Sequence, residues 1–428
     1  MGIRTIRKSK RIVLMAWGNN KSSVVQKAIE DKIDSIIPAS YLQNHKNVTF
    51  VLDNAASENL TRIKTPWKTG YSGWNDELKG KAVAWLCEIT NKSILNLTES
   101  DYNENNLSEL LIESSYYDLN LDFYKKIHRS ITGWPGGKPN SDDKVRPERS
   151  EPPRKRVLIF SPHPDDDVIS MGGTFDRLVS QGHEVHVAYQ TSGNIAVSNS
   201  DVLKFLEVMN SIFPDCAKDN NDIIDLLKDN TEIINNTRVR EIATSIREKE
   251  SLAATRFIGL EDKNVHFLKL PFYESGTVKK NPTSKADKKI ILDIINEIKP
   301  HQIYAAGDLA DPHGTHKVCL DILFDCLAVL KNKSFMKDCW VWLYRGAWHE
   351  WPIHEIDMAV PMSPNQVLRK RKAIFYHQTQ KDNVMFQGDD NREFWVRAED
   401  RNREIAKKFR DIGMSDYTAI ETFKRYHF

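Results

Sequence analysis

The sequence predicts an α/β protein with a doubly wound, mostly parallel sheet, helices on both of its faces, and a partial α/β segment ahead of it. Three observations predict this. Short runs rich in Val, Ile and Leu alternate with helix-length stretches of mixed polarity, the β-α alternation of a parallel sheet. A tract rich in Pro, Gly and charge, GWPGGKPNSDDKVRPERSEPPRKR at 133–156, divides two such alternations. The first alternation shows only two strands, too few for a parallel sheet, whose faces both need cover.

Taken in order, RIVLMAWG at 11–18 reads as a buried strand. Asn19 and Asn20 open a helix over 21–33, and NVTFVLD at 47–53 is the second strand. WNDELKGKAVAWLCEIT at 74–90 is helical, and short helical pieces are predicted near 107–112 and 116–131. After the linker the pattern restarts with a strand at 156–161, a helix opening at Gly172, and a strand at 183–190. A long helix over 239–258, a strand at 265–270, a helix over 288–298 and a strand at 302–306 follow. Asp219 to Asn236, rich in Asp and Asn, reads as an inserted, solvated segment. The alternation implies a Rossmann-like order, and the chain divides as 1–95 (partial α/β segment), 96–155 (polar helical and linker region) and 156–428 (complete α/β domain).

Composition narrows the function classes. With 61 Lys plus Arg against 59 Asp plus Glu the formal charge is +2. A protein held mainly by nucleic-acid phosphates wants a marked basic excess, so no nucleic-acid partner is expected. Mean hydropathy is −0.52, and no apolar run approaches the roughly 18 residues of a membrane span. The N-terminal apolar run stops at Gly18, too short for a secretion signal. Five cysteines without a CxxC fit reduced thiols and a cytoplasmic setting.

The chemistry concentrates at two strand ends. SPHPDDDVISMGG follows the strand at 156–161, and DPHGTH follows the strand at 302–306. Ligands of open α/β sheets bind outside the carboxyl ends of strands. His163 and Asp166 are three apart on a Pro-constrained turn, so an imidazole and a carboxylate can converge on a cation. His313 and His316 share the spacing of one face of a helix start. Two His, a carboxylate and an open position make a catalytic zinc set, and ferrous iron suits the same donors. A lone HPD turn or a lone HxxH is usually a loop or a helix-face accident; two together, both at strand ends, point to a metal site.

HPDD after the first strand, with a later HxxH, resembles the PIG-L/LmbE-like zinc N-deacetylases, over about 156–428. That resemblance implies a zinc enzyme removing acetyl groups from N-acetylglucosamine-bearing substrates. It assigns His163, Asp166 and His316 to the metal, Asp165 to general base catalysis, and His313 to the tetrahedral intermediate. Asp167 stands where many members have Glu, and Thr315 where many have Asp. Arg247 and Glu250 match the family's RxxE helix, whose Arg lies near the substrate; a surface i,i+3 pair is the plain alternative. Thr191–Asn194 is a candidate sugar contact or an ordinary turn. Tyr344, Arg345, Trp348, His349 and Trp351 suit a sugar ring, although such aromatics are more often core. HQTQ at 377–380 resembles a late family segment, read as structural or pocket wall.

The first part is similar to the C-terminal portion of a glucosamine-6-phosphate deaminase, through MGIRTIRKSKRIVLMAWGNNKSSVVQKAIEDKI and PASYLQNHKNVTFVLDNAA. The resemblance makes Lys21, in the Gly18–Lys21 turn, a phosphosugar contact, and it lacks the upstream half that would complete a deaminase site. The whole resembles a bacterial deaminase–deacetylase fusion with its front missing. The expectation is a metal-dependent amidohydrolase acting on a GlcNAc-type, phosphorylated or unphosphorylated, small-molecule sugar. The competing expectations are a deaminase-related protein of amino-sugar metabolism and a non-enzymatic sugar-binding protein. A homo-oligomer or association with a deaminase-like chain is the partner expected.

Overall fold

The structure is a computed structural model that describes residues 2–70, 73–138, 151–228, 236–275, 279–309, 314–382 and 392–428. The chain divides into two compact units, Met1–Tyr124 and Lys125–Phe428.

In the first unit, β1 (Ile12–Ala16) and β2 (Val48–Leu52) pair in parallel, from Ile12 opposite Val48 to Ala16 opposite Leu52. Helix α1 (Ser22–Ile29) connects them. Helix α2 (Asp76–Thr90) starts where Asn75 accepts the Leu78 amide and stops at Asn91, whose left-handed backbone terminates the helix. Buried Ala82, Val83, Leu86, Ile94, Leu97 and Tyr102 form this unit's interior. The Tyr102 hydroxyl donates to Asn120 Oδ1 at 2.7 Å, and Asn120 Nδ2 donates to the Leu97 carbonyl at 2.9 Å, so these two buried side chains have partners. Helix α3 (Tyr116–Ser130) follows.

The second unit is built on a seven-stranded sheet. Its strands are β3 (Arg156–Ser161), β4 (Glu184–Tyr189), β5 (Val265–Phe267), β6 (Gln302–Ala306), β7 (Trp340–Tyr344), β8 (Met358–Met362) and β9 (Ala419–Tyr426). The spatial order is β5-β4-β3-β6-β7-β9-β8. The first five strands run parallel, and β9 is antiparallel to both β7 and β8. Buried Val157, Ile159, Val187, Tyr189, Tyr304 and Trp342 fill the layer between this sheet and its helices, as both-face burial of a parallel sheet requires.

Two expectations need correction. Helix α4 covers Asp166–Ser180, six residues earlier than the Gly172 start. Acidic residues in its first turn suit a helix N-terminus, while Gly172 and Gly173 are contact positions. A Cβ on Gly173 would lie 2.2 Å from Met362 Sδ. The backbone leaves helical geometry at Met171, and the Gly173 and Thr174 amides donate instead to Glu421 at 2.9 and 2.6 Å. The other correction concerns the Asp/Asn-rich segment. Its described part belongs to helix α6 (Ala217–Lys228), paired with helix α5 (Asn199–Ile212). Ile223, Ile224 and Leu227 join Val202 and Leu206 in a small core against helix α7 (Thr237–Ile258). Apolar residues three and four apart outvote the polar composition. Residues 229–235 of that segment lie outside the described ones.

Helices α8 (Lys285–Ile298), α9 (Thr315–Leu330), α10 (Pro364–Phe375) and α11 (Phe394–Asp411) complete the layers. No helix among the described residues is long and apolar enough to cross a membrane. Cys87, Cys319, Cys326 and Cys339 are buried free thiols.

Candidate metal centre

The chain winds outward from β3 through β4 to β5 on one side, and from β6 to β7 on the other. The carboxyl ends of β3 and β6 therefore flank the switch point of the sheet, where open α/β folds bind ligands. Helix α4 leaves β3 through His163–Asp166, and helix α9 leaves β6 with His316 as its second residue. Sequence-distant motifs meet because β3 and β6 are neighbours.

Ligand atoms of His163, Asp166 and His316 all lie within 4.8 Å of one another. Asp166 Oδ2 is 3.1 Å from His163 Nδ1 and 3.1 Å from His316 Nε2. It also accepts the His163 amide at 2.9 Å. His316 Nδ1 contacts the Asp308 carbonyl at 2.7 Å. A carbonyl can only accept, so Nδ1 carries a proton and Nε2 is the ring atom turned toward Asp166. Two imidazoles with a carboxylate, their ligand atoms gathered on one point, suit zinc or ferrous iron. Burial pushes the Asp166 carboxyl up, but His316 and His163 more than reverse this and hold it well below the usual range.

The surroundings fix these groups. Asp308, which the sequence reading did not single out, is buried and continues the chain after β6. Its Oδ2 accepts the amides of Trp348 at 2.5 Å and His349 at 2.8 Å. Its carboxyl sits low although burial opposes this, through the side chain and amide of His349. The only sequence signal was its place at the strand end. Asp165, next to the cluster, lies with Oδ2 3.2 Å from Arg247 Nη2. Asp167 is fully buried; Tyr189 donates its hydroxyl to Oδ2 at 2.9 Å. Burial pushes the Asp167 carboxyl up to about 7, only partly offset by that bond.

Residues 158–327 match the family described as PIG-L, GlcNAc-PI de-N-acetylase. The chain contains a PIG-L domain. Its N-terminal region is similar to glucosamine-6-phosphate deaminases. A glucosamine-6-phosphate deaminase-like protein of Bacteroides thetaiotaomicron is 48% identical over 439 residues, covering 100% of this chain and 66% of its own length. The glucosamine-6-phosphate deaminase of Lacticaseibacillus paracasei is 47% identical over 62 residues, 14% of this chain and 26% of that protein. The chain thus spans just under two thirds of the first relative and about a quarter of the second. Among solved structures, the N,N'-diacetylchitobiose deacetylase of Pyrococcus horikoshii aligns with TM-score 0.44 and 21% identity, over 67% of this chain and 87% of that one.

The PIG-L domain brings His163, Asp165, Asp166, Arg247 and His316 together. His313 lies outside the described residues. Lys21 is exposed on the turn after β1, in the other unit. Arg247 and Glu250 are not a surface pair. Both are buried on α7; Arg247 meets Asp165, and Glu250 accepts the Thr379 amide and hydroxyl, each at 2.8 Å. That clamp ties HQTQ to α7 and explains its place near the centre. His377, in the same turn, is buried with both ring nitrogens unpartnered among the described residues, and Arg247 Nε and Nη1 and Ser192 Oγ are likewise unpartnered. Burial and nearby Arg247 push the His377 imidazole down to about 3. Thr191 donates to the Pro162 carbonyl at 2.7 Å and so braces the HPDD turn. Tyr344 and Trp351 are core: they donate to the carbonyls of Phe160 at 2.8 Å and Leu343 at 3.1 Å.

Proposed function

We propose that this protein is a zinc-dependent N-deacetylase that removes the acetyl group from a GlcNAc-type sugar. The observation that carries the reading is the convergence of His163, Asp166 and His316 on one point, beside a carboxylate, Asp165, that is not part of the set. The PIG-L match supports an acetamido sugar as the substrate class.

Zinc held by the three residues would supply an acidified water and a polarised amide carbonyl. Asp165 takes the water's proton. Arg247 holds one of its oxygens, and the other has no partner among the described residues and is available for that proton. The His316 Nδ1–H bond to Asp308 keeps the ring in the tautomer that turns Nε2 to the cation. His313, by its place in the motif, supplies positive charge to the developing oxyanion and passes a proton to the leaving amine. Buried donors of Arg247 and Ser192 that lack partners among the described residues are suited to sugar hydroxyls or a phosphate on the sugar.

The test is acetate release by the zinc-loaded chain from N-acetylglucosamine derivatives with and without phosphate, alongside metal analysis. Asp165→Asn should keep the metal and lose about 10²-fold or more in rate, as removal of a general base does. His163→Ala should lose the metal. Normal turnover in the first variant, or full zinc occupancy in the second, contradicts the assignment.

A further inference from the structure

Helix α5 carries an apolar strip that nothing among the described residues covers. Its buried residues, Val202 and Leu206, join the small core shared with α6 and α7. On its outward side Phe205 is 44%, Val208 51%, Met209 40% and Ile212 61% exposed, and Phe213, just past the last turn, is 59% exposed. Positions 205, 208, 209 and 212 have the i, i+3, i+4, i+7 spacing of one helix face. A helix that is apolar well beyond its core-facing stripe is one buried on more than one side. The five side chains leave on the order of 500 Å² of apolar surface, at the upper end of the patches found on monomers and within the range that marks interaction sites.

Charge and pattern indicate what covers the strip. The helix carries Asp201, Lys204 and Glu207, one cation against two anions, whereas a helix seated on an anionic membrane is rich in Lys and Arg. The spacing of 205, 208, 209 and 212 reads the same from either end, so the strip is complementary to a second copy of itself. Antiparallel alignment about a two-fold axis at Val208 and Met209 sets Phe205 of each copy against Ile212 of the other. At 1.5 Å per residue it also brings exposed Lys204 alongside exposed Asp215 of the other copy, so opposite charges close both ends of the contact. Two copies would bury about 1,000 Å² from these apolar side chains alone, and the flanking polar residues add to it, which passes the threshold of a specific interface.

We infer that the chain forms a two-fold dimer through α5, a second copy laying its own α5 antiparallel over Phe205, Val208, Met209 and Ile212. The inference is independent of the deacetylase reading, because it concerns association and not the metal. In the test, sedimentation velocity follows the full chain over a concentration range of about 1 to 100 μM, chosen to bracket the affinity of a small specific interface. A species of twice the 49.3 kDa chain mass is expected, with Kd on the order of 10 μM. Val208→Asp and Ile212→Asp should each weaken the dimer about 100-fold, because a carboxylate would be buried without a partner. Both positions are exposed in the single chain, so both variants should keep the wild-type circular dichroism and metal content. A monomer throughout the range, or a dimer indifferent to both substitutions, overturns the inference. So does binding of the chain to phosphatidylcholine vesicles that Val208→Asp abolishes, since a membrane would then be the occupant.

Discussion

Replacing Asp308 with Ala should weaken metal binding although no ligand is touched. The Asp308 carbonyl holds His316 Nδ1 at 2.7 Å, and its side chain straps the same stretch of backbone to the Trp348 and His349 amides at 2.5 and 2.8 Å. Hydrogen bonds to a charged group contribute about 1.5–3 kcal/mol each, so the strap holds about 3–6 kcal/mol. Only the part that keeps the carbonyl aimed at His316 reaches the cation. Loss of such outer support typically costs 10–100-fold in affinity, or about 1.4–2.7 kcal/mol. Asp308→Asn keeps the shape and one acceptor oxygen, and should fall between Ala and the wild type. Zinc affinity is measured by competition with a chromophoric chelator, with circular dichroism as the check on folding. A folded Asp308→Ala protein that binds zinc within twofold of wild type would refute the chain of reasoning from strap to carbonyl to imidazole.

Glu421→Gln should be among the most destabilising single substitutions in the second unit. Buried Glu421 accepts the Gly173 and Thr174 amides, the Thr174 hydroxyl and, at 2.8 Å, the buried Lys370 ammonium. Removing one partner of such an ion pair costs about 3–5 kcal/mol; urea unfolding reads it, and a loss under 1 kcal/mol contradicts it. His183 makes the fold acid-sensitive. Burial, then Lys155 and Arg154, push its imidazole from 6.5 down to about 4. The unfolded chain binds a proton near pH 6.5 that the folded chain refuses until about pH 4. Stability from neutral His183 is therefore complete above pH 6.5 and drains as pH falls toward 4. Unfolding curves of His183→Gln across that window should be flatter than wild type, and parallel curves would rule the histidine out.

Much of the centre was legible because its signals are local. HPDD and HxxH declare their donors by spacing, and strand-then-motif order places them at the carboxyl edge of a sheet. That β3 and β6 are adjacent was legible only through the Rossmann-like reading, because strand order itself depends on long-range pairing. Glu421 and Asp308 were missed for a similar reason. Each acts on backbone amides far away in sequence, at Gly173 or His349, and a lone acidic residue carries no pattern. The antiparallel strands β8 and β9 escaped too: MAVPM carries a proline and AIETFKRY places Glu421 inward, so neither shows a clean alternation. The α5–α6 pair failed in the opposite direction, composition masking a period of three to four.

Three consecutive aspartates show how little of the centre lies in residue type alone. In a helical turn successive side chains diverge by about 100°, and α4 begins at Asp166, so Asp165, Asp166 and Asp167 face three different environments. Asp166 points between two imidazoles and is held ionised. Asp165, just outside the helix, meets Arg247 from α7 and stays at the edge of the cluster. Asp167 turns to the core, where Tyr189 and Ser161 are its neighbours among the described residues, and its carboxyl is pushed up to about 7. A member of the His-Asp-His cluster, the partner of Arg247 and a buried hydrogen-bond acceptor thus come from one repeated residue. What separates them is where the helix starts, and the Gly173 and Thr174 amides that bond to Glu421 hold that helix against the sheet from its far side. Glu421, remote in sequence from the cluster, thus anchors the same helix whose N-terminus carries the three carboxylates.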